Sequence, residues 1–358
     1  MKKILCLIDG LNSGGAQRQL VGLANLLQKR GYTVLFVWYH NTDFYKQFLD
    51  ENKISYRQLA PKGKFSKFWL VSKEIYRFNP DVVIAYIDGP TMISCFLKGL
   101  GLKYKLIVSE RNTTQLINKH VRLKFWLYRI ADYIVPNSYS QASFISNNFH
   151  VLENKVKIIT NFVDTNSFCP SPLKSKHEKV YIMCAGRLYK QKNILRFAEA
   201  ISKVRERGFS FEVHWFGSSD RKGDYEQKCK ELVSDLNLND VFYFEGSIKN
   251  IKTAYQEADV FCLPSIYEGF PNVICEAMSS GLPILASNVC DNGRLVEDGI
   301  NGFLFNPLDL DSIVDAIKRF LILSVNERLA MGKKNREKAL ELFSEARFLE
   351  KYEELICD

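Results

Sequence analysis

The chain has 358 residues, of which 46% are hydrophobic and 13% aromatic, and its 49 Lys and Arg outnumber its 40 Asp and Glu. This length and apolar content suit two or three domains with sizeable cores. No apolar run reaches the roughly 18 residues that a membrane-spanning helix needs. The segment 1–9 is too short and too soon acidic for a signal peptide, so we expect it to enter a first buried strand.

The nine cysteines form neither a Cys-x-x-Cys motif nor a Cys/His cluster. Cys6, Cys184, Cys262 and Cys275 fall in predicted strands or helices, where cysteine serves as a small apolar residue. The sequence therefore predicts a reducing, cytoplasmic environment and no structural metal.

Strand and helix patterns alternate along the whole chain. Short apolar runs predict strands at residues 4–8, 33–39, 81–87, 105–109, 133–136, 180–185, 211–216, 241–244, 259–263 and 284–287. Such alternation is typical of parallel, doubly wound sheets. Residues 161–179 break it with a polar run that contains Pro170 and Pro172. We therefore predict an α/β protein with two Rossmann-like domains, residues 1–166 and 167–342.

A glycine-rich segment follows the first strand and precedes an amphipathic helix that ends near Gly31; it reads Asp9-Gly-Leu-Asn-Ser-Gly-Gly-Ala-Gln-Arg18. Gly14 and Gly15 let the backbone approach a bulky anion where a Cβ would intrude. The glycine spacing matches neither the dinucleotide-binding fingerprint nor a Walker loop. On these residues alone, a plain tight turn and a phosphate site are equally good interpretations.

A second strand, turn and helix start is formed by Val180-Tyr-Ile-Met-Cys-Ala-Gly-Arg-Leu-Tyr-Lys-Gln-Lys-Asn193. Arg187 and Lys192 both lie near the carboxyl end of this strand. Their charges suit a phosphate group, because Arg offers a planar fork of donors and Lys a compact charge. The alternative is a solvated loop that happens to carry two basic residues.

The most informative segment is Pro264-Ser-Ile-Tyr-Glu-Gly-Phe-Pro-Asn-Val-Ile-Cys-Glu-Ala-Met-Ser-Ser-Gly-Leu-Pro283. Glu268 lies at the turn after a predicted strand, and Glu276 lies in the helix 272–280 that Gly281 stops. A ligand at this turn faces a helix N-terminus, whose backbone N–H groups attract phosphate. Since carboxylates repel phosphate, their natural partners are the hydroxyls of a sugar or ribose joined to it. The segment therefore predicts a sugar-nucleotide site.

The two glutamates, with the Gly-Phe-Pro-Asn-Val between them and the Ala-Met and Gly-Leu-Pro that follow, resemble the signature of glycosyltransferase family 4. Its members are retaining enzymes with the two-domain GT-B fold and a cleft between the domains. By this resemblance Arg187, Lys192 and Glu268 are the catalytic residues: the cations hold the diphosphate and Glu268 meets the donor sugar. Glu276 is expected at the ribose. The other donor-binding residues that the resemblance implies are Gly14, Gly15, Gly269, Phe270, Asn272 and Val273.

The resemblance implies transfer of a hexose or N-acetylhexosamine from a nucleoside diphosphate sugar, with UDP as the expected nucleotide and retention at the anomeric carbon. The expected acceptor is a lipid-linked or surface glycan held mainly by the amino-terminal domain, on which the final helix, residues 343–358, is expected to pack. No metal or other cofactor is expected. Two alternatives remain: a sugar-nucleotide 2-epimerase of the same fold, whose members lack this signature, and a catalytically silent sugar-nucleotide-binding protein.

One departure from the family pattern concerns the amino-terminal domain. Many members carry a His near the reacting centre, whereas this chain has Glu110, Arg111 and Asn112 after the predicted strand 105–109. These residues resemble the variant of polysaccharide-type members, and their place at a strand's carboxyl end favours an acceptor-side role. The alternative is a structural loop with a local ion pair between Glu110 and Arg111.

Positive charge is concentrated in the first half of the chain. Residues 1–166 contain 23 Lys and Arg against 11 Asp and Glu, which leaves 26 against 29 for the rest. Two segments interleave cations with aromatic residues, as a surface on anionic lipid headgroups would. We therefore predict a peripheral protein on the inner face of the membrane. The residues concerned are Lys62, Lys64, Phe65, Lys67, Phe68, Trp69, Arg122, Lys124, Phe125, Trp126, Tyr128 and Arg129.

For residues 119–129, an amphipathic core helix whose Lys and Arg face water is an equally good interpretation. Nucleic-acid binding is not expected, because the sequence contains no recognisable nucleic-acid motif and its second half is acidic.

Overall fold

The computed structural model describes residues 1–114, 116–171, 178–219, 224–248 and 250–358. These residues divide into two compact units, one formed by Met1–Asn161 with Glu345–Asp358 and the other by Phe162–Ser344. We call them the first and the second unit. Each unit contains one six-stranded parallel sheet flanked by helices. The predicted α/β class with two Rossmann-like parts is therefore confirmed.

Both sheets have the same strand order. The strands are β1 (Lys3–Leu7), β2 (Thr33–Trp38), β3 (Ser55–Gln58), β4 (Val82–Tyr86), β5 (Lys105–Glu110), β6 (Tyr133–Pro136), β7 (Val180–Ala185), β8 (Phe211–Phe216), β9 (Phe242–Gly246), β10 (Val260–Leu263), β11 (Ile284–Ser287) and β12 (Gly302–Phe305). The first sheet has the order β3-β2-β1-β4-β5-β6 and the second β12-β11-β10-β7-β8-β9. Counted outward from β1 and from β7, the two orders are identical.

Helices connect the strands and cover the faces of the sheets. The α-helices are α1 (Gly15–Lys29), α2 (Lys46–Glu51), α3 (Lys64–Phe78), α4 (Asp88–Gly99), α5 (Lys119–Leu127), α6 (Tyr139–Asn148), α7 (Ile194–Glu206), α8 (Tyr225–Asp235), α9 (Ile251–Glu257), α10 (Asn272–Ser279), α11 (Asn292–Leu295), α12 (Leu310–Leu321), α13 (Val325–Phe343) and α14 (Glu345–Cys357). Short 3₁₀ helices lie at Tyr128–Ile130, His150–Lys155 and Lys190–Lys192.

Apolar side chains on both faces fix the inner strands, as parallel sheets require. All residues from Ile4 to Leu7 are fully buried, and Ile4 pairs with Val34 of β2 and Val82 of β4. The cysteines of the predicted strands and helices lie in the cores, as expected. The last helix, α14, belongs to the first unit and buries Phe348 and Ile356 there.

The chain reverses its direction of winding between β1 and β4 in one sheet and between β7 and β10 in the other. Doubly wound sheets bind ligands just beyond the carboxyl ends of the strands at this reversal. The glycine-rich segment follows β1, and the motifs with Arg187 and Glu268 follow β7 and β10. The fold thus positions the three predicted motifs at the ligand-binding ends of the sheets.

The structure differs from the sequence-based prediction at the edges of the elements. Strands β3 and β12 were not predicted; both are edge strands, and the residues of β3 are largely exposed. The predicted helix 343–358 begins at Glu345, because Phe343 ends α13 and Ser344 follows it as a cap.

The division between the units also lies earlier than residue 166. It falls between Asn161 and Phe162, because Val163 packs in the core of the second unit and its N–H donates to the carbonyl of Phe343. Residues 172–177 of the predicted boundary segment lie outside the described residues.

Candidate active site

The ends of β7 and β10 are joined by an ion pair. Nζ of Lys192 lies 2.5 Å from Oε1 of Glu268, and only 16% and 10% of these side chains are exposed. The two loops are also linked by hydrogen bonds, since Gln191 accepts from the N–H of Ile266 and donates its side-chain amide to the carbonyl of Tyr267. A cation from one motif and a carboxylate from another are therefore held together at the reversal point of the second sheet.

Two glycines make this arrangement possible. A Cβ on Gly186 would lie 2.9 Å from Cε of Lys192, so the lysine stem passes directly over the backbone at the end of β7. Gly217, which follows β8, has a φ of +137°, and a Cβ there would lie 2.2 Å from the carbonyl oxygen of Gly186. Any larger residue at 217 would push the loop that carries Arg187 and Lys192 out of place.

Arg187 supplies the second cation at this end of the sheet. Its side chain is exposed, and the guanidinium carbon lies 5.3 Å from the centre of the Tyr189 ring. Arg187 and Lys192 thus follow the same strand, but the side chain of Lys192 is shielded while that of Arg187 is exposed. An anion at the end of β7 would meet both charges.

Helix α10 contributes its N-terminus and one buried carboxylate. The helix begins after Pro271 without a side-chain cap, and its N-terminus directly follows the turn that carries Glu268. Glu276 is only 3% exposed and accepts a hydrogen bond of 3.0 Å from the hydroxyl of Tyr255. Phe270 is buried against Phe343, with ring centres 5.8 Å apart, and anchors the turn before the helix.

The second unit therefore brings together most of the predicted donor residues. Arg187, Lys192 and Glu268 lie at adjacent strand ends. The remaining residues lie in the turn before α10 or in its first two turns: Gly269, Phe270, Asn272, Val273 and Glu276. The other predicted site residues belong to the first unit: Gly14, Gly15, Glu110, Arg111 and Asn112.

In the first unit, the glycine-rich segment forms the turn into α1. Gly14 is the N-cap residue and Gly15 the first helical residue, and no side chain caps the helix. A second loop braces the turn, because the hydroxyl of Thr42 accepts a hydrogen bond of 2.7 Å from the N–H of Leu11. The glycine-rich turn thus lies at the carboxyl end of β1 beside the loop after β2.

Glu110 ends β5 and is buried, with 2% of its surface exposed. Its carboxylate lies 2.8 Å from Nζ of Lys124 and accepts a hydrogen bond from the hydroxyl of Tyr128. Lys124 also contacts Asp88, at 3.0 Å, at the start of α4. The alternative of a Glu110–Arg111 ion pair is therefore wrong, because the buried lysine of α5 is the partner of Glu110.

Burial and charge act against each other in this cluster. Burial is the largest influence on Glu110 and raises the pKa of its carboxyl group above the ordinary value, although Lys124 acts in the opposite direction. Burial by itself would lower the pKa of Lys124, but the carboxylates of Glu110 and Asp88 outweigh it and raise that pKa. Lys124 is thus held charged between two carboxyl groups.

Arg111 is directed away from solvent, and Asn112 is exposed. The guanidinium of Arg111 donates to the side chain of Asn161 at 2.8 Å and to the hydroxyls of Tyr86 and Tyr352. Of the three residues predicted on the acceptor side, Asn112 alone presents an exposed side chain.

Part of the predicted cationic and aromatic surface is core. Lys124, Phe125 and Tyr128 are 3%, 1% and 0% exposed, which corrects the prediction that they face solvent. They follow Val121 at helical spacing, so this stripe of α5 and the turn after it packs on the sheet. The exposed aromatic members are Phe65 and Trp69 of α3 and Trp126 of α5, and the exposed cations are Lys62, Lys64, Arg122 and Arg129.

Sequence reasoning missed three residues near the candidate site. Tyr255 holds Glu276, Lys124 holds Glu110, and the thiol of Cys290 lies at the backbone N–H of Glu268. Burial raises the pKa of that thiol. Lys124 falls at helical spacing on the apolar stripe of α5, and this spacing was a sequence signal for its contact with Glu110. The contacts of Tyr255 and Cys290 join separate elements of the chain and have no such signal.

Two features are absent from the residues that the structure describes. Among them, no helix combines the length and apolar character needed to cross a membrane. The same part of the chain contains no group of three or more His, Cys, Asp or Glu arranged to hold a metal ion.

Comparison with protein families gives two matches that follow each other along the chain. The model described as Glycosyltransferase Family 4 matches residues 13–167. The model described as Glycosyl transferases group 1 matches residues 169–338. The first covers the glycine-rich turn and β5, and the second covers β7, β10 and α10.

Two relatives are named as transferases that act on lipid-linked glycans. A Campylobacter jejuni protein named GalNAc-α-(1→4)-GalNAc-α-(1→3)-diNAcBac-PP-undecaprenol α-1,4-N-acetyl-D-galactosaminyltransferase is 28% identical over 325 residues, covering 85% of this chain and 84% of that protein. The UDP-Gal:α-D-GlcNAc-diphosphoundecaprenol α-1,3-galactosyltransferase of Escherichia coli is 31% identical over 218 residues, covering 57% and 54%.

Solved structures with the same fold cover nearly the entire chain. A glycosyltransferase from Rickettsia africae superposes with a TM-score of 0.87 at 20% identity, covering 99% of this chain and 97% of that one. Anabaena HepE in complex with UDP-glucose gives a TM-score of 0.86 at 18% identity with full coverage of both chains. These likenesses show that the fold is GT-B.

The buried cluster around Glu110 leads to a pH-dependent prediction. Lys124→Met removes the cation but leaves Glu110 buried, so the pKa of Glu110 should rise further. The folded variant then keeps a proton at pH values above about 4.3, where an unfolded Glu has lost it. The contribution of Glu110 to the stability of the variant is therefore fully present in acid and is lost as pH rises. We expect a cost of about 3 kcal/mol or more at pH 7.5 and a smaller cost at pH 5.

Urea unfolding at both pH values measures this difference. The control is Lys119→Met, at an exposed position of the same helix, which should change stability by no more than about 0.5 kcal/mol at either pH. An equal cost of Lys124→Met at pH 5 and pH 7.5 would contradict the assignment of Lys124 as the cation that neutralises Glu110.

Proposed function

Because the chain belongs to glycosyltransferase family 4 and is a glycosyltransferase, we propose that it transfers a hexose or N-acetylhexosamine from a UDP-sugar to a lipid-linked glycan with retention at the anomeric carbon. The observation that carries this proposal is the cluster at the ends of β7 and β10. There, the Lys192–Glu268 ion pair, the exposed Arg187 and the start of α10, which lacks a side-chain cap, all follow the ends of two neighbouring strands.

The donor is proposed to bind with its diphosphate at the end of β7. Arg187 and Lys192 bind the phosphate oxygens and stabilise their growing negative charge as the glycosidic bond breaks. The N–H groups at the start of α10 attract the same anion. Glu268, which holds Lys192 in the free protein, accepts hydrogen bonds from the sugar hydroxyls. Glu276, already oriented by Tyr255, accepts them from the ribose.

The names of the relatives support the choice of substrates. The Escherichia coli relative is named for UDP-Gal and a diphosphoundecaprenol acceptor, and the Campylobacter jejuni relative for an acceptor on PP-undecaprenol. Both names describe an α-linkage, the outcome that retention gives with an α-linked donor. We therefore propose a UDP-sugar and a lipid-diphosphate acceptor for this chain.

A cavity in the first unit suits the acceptor diphosphate. It measures about 870 Å³ and lies at the carboxyl ends of β2 and β3 and the start of α3. Lys64, Lys67 and His40 line it with Tyr39 and Gln58, and Nζ of Lys67 lies 4.5 Å from the centre of the Tyr39 ring. Two lysines among polar and aromatic groups form a suitable site for a diphosphate.

The same helix presents a surface for the lipid. Phe65 and Trp69 of α3 are 94% and 59% exposed, next in sequence to the lysines of the cavity, and Trp126 of α5 is 58% exposed. The first unit contains 25 Lys and Arg against 15 Asp and Glu, compared with 24 against 25 in the second. We propose that this face contacts anionic lipid on the inner side of the membrane while the cavity binds the diphosphate.

The direct test of the proposed reaction uses a panel of UDP-sugars with lipid-diphosphate acceptors, and determines the anomeric configuration of the product by NMR. We expect an α-linked product. Arg187→Ala and Lys192→Ala should each lower turnover by about 10²-fold, because each removes a charge that stabilises the leaving diphosphate.

The matched control for the donor-site variants is Arg207→Ala, an exposed arginine after α7, which should keep full turnover. Normal turnover in both donor-site variants would contradict the proposed roles. A 2-epimer formed from the donor without acceptor would instead identify the alternative enzyme class.

No metal is proposed to take part, because the two cations of the donor site supply the positive charge that the diphosphate needs. Transfer should therefore continue at an unchanged rate in excess EDTA. A loss of activity that Mg²⁺ or Mn²⁺ restores would contradict this part of the proposal.

Membrane contact is tested by sedimentation with liposomes. Changing Lys62, Lys64, Lys67 and Arg122 to Gln removes about four charges worth roughly 1 kcal/mol each near an anionic surface, so binding to anionic liposomes should be nearly lost. High salt should also release the wild-type chain, because the attraction decays over a Debye length of about 8 Å at physiological ionic strength.

The control removes four exposed lysines of the second unit: Lys228, Lys230, Lys333 and Lys334. It should bind like the wild-type chain. Equal binding of the wild-type chain to neutral and anionic liposomes would contradict an attraction to anionic lipid, and no binding to either would indicate a solvated surface and a soluble acceptor.

A further inference from the structure

Arg111, the residue after β5, is an arginine buried without an anionic partner. Its side chain is 8% exposed. Nη1 donates to Oδ1 of Asn161 at 2.8 Å, and Nη2 donates to the hydroxyls of Tyr86 and Tyr352. The guanidinium also lies over the ring of Tyr86, 4.2 Å from its centre. Among the described residues, no carboxylate forms an ion pair with it and its Nε has no hydrogen-bond partner.

These three partners come from distant parts of the chain. Tyr86 ends β4, Asn161 is the last residue of the first stretch of the first unit, and Tyr352 lies on α14, which returns to that unit. The hydroxyls of Tyr86 and Tyr352 are themselves 2.7 Å apart. A buried guanidinium is costly unless its donors are satisfied, so the two hydroxyls and the amide hold Arg111 in place.

Both terminal nitrogens of Arg111 donate hydrogen bonds to protein groups, so its side chain supports the structure around it. Its side chain is enclosed by protein, whereas its backbone lies between Glu110 and the exposed Asn112. A displacement of Arg111 would therefore move the turn that carries both neighbours. The opposite side of this turn is fixed independently, because Lys124 and Tyr128 hold Glu110.

We infer that Arg111 is a positioning residue, and that the last helix uses Tyr352 to hold it and thereby fixes the turn at residues 109–112 for acceptor binding. The inference rests on the proposed function and on the prediction, drawn from the family resemblance, that Glu110, Arg111 and Asn112 lie on the acceptor side. It gives α14 a part in acceptor binding, although the helix lies at the far end of the sequence.

The test compares Tyr352→Phe with Tyr32→Phe. The first variant removes one acceptor from the guanidinium but keeps the ring that packs on Phe348, with centres 5.1 Å apart. The second variant removes a hydroxyl that donates a hydrogen bond of 3.2 Å to Glu353, which also lies on α14. Within the described part of the chain, Tyr32 forms no hydrogen bond with Arg111, Tyr86 or Asn161. Deuterium uptake of peptides covering residues 106–114 reports on the turn, and kinetics separate acceptor use from donor use.

For Tyr352→Phe we expect faster uptake in residues 106–114 and a fall of about tenfold in kcat/KM for the lipid-diphosphate acceptor that the wild-type chain uses. Acceptor-free hydrolysis of the UDP-sugar should not change. Tyr32→Phe should leave all three quantities at wild-type values. In the double variant Arg111→Met/Tyr352→Phe, kcat/KM should fall no further than in Arg111→Met, because Tyr352 acts through Arg111.

Unchanged uptake in residues 106–114 would overturn the inference. Faster uptake with unchanged acceptor kcat/KM would also overturn it, since Tyr352 would then be structural only. An equal loss of transfer to the acceptor and of acceptor-free hydrolysis would indicate a general defect of the enzyme, and this result would also overturn the inference. If the wild-type chain transferred no sugar to any lipid-diphosphate acceptor, the proposed function would fail, and the uptake data would still decide whether Tyr352 holds the turn.

Discussion

The contact between Lys192 and Glu268 is the interaction on which the candidate donor site depends. It joins two loops that are 76 residues apart in sequence but follow neighbouring strands, β7 and β10. The pair is largely shielded from solvent, so each charge needs the other while no ligand is bound. Binding a diphosphate would give Lys192 a new anionic partner and leave Glu268 to accept hydrogen bonds from a sugar. In the free protein, the ion pair thus keeps Lys192 and Glu268 in the positions proposed for binding the donor.

The first unit uses a similar arrangement at its own strand ends. Lys124 lies between Glu110, at the end of β5, and Asp88, just beyond β4. In both units a lysine bridges loops at the carboxyl edge of a parallel sheet, where doubly wound folds bind their ligands. The difference is burial: Lys124 is 3% exposed and comes from a covering helix, so it supports the site, whereas Lys192 follows the strand itself.

Much of the fold could be predicted because its determinants are local. Inner strands such as β7 and β10 read as apolar runs, and the predicted strands all appear within a few residues of their expected bounds. The edge strand β3 lacks a buried run and was missed, and the short edge strand β12 was missed as well. The site residues on strand ends were found through motifs, but their partners Tyr255 and Tyr352 come from other elements, and no local pattern indicates such contacts. The sequence did not decide whether α5 packs in the core or faces a membrane, because its buried stripe contains Lys124 and lysine is usually a surface residue.

The most direct test of the account measures nucleotide binding to the donor site by calorimetry. The ligands are UDP and the UDP-sugar that stabilises the wild-type chain most in a thermal-shift screen. If Lys192 binds the diphosphate and Glu268 the sugar, Lys192→Met should weaken both ligands by about tenfold or more. Glu268→Gln should weaken only the UDP-sugar. Wild-type affinity of both variants for both ligands would contradict the account.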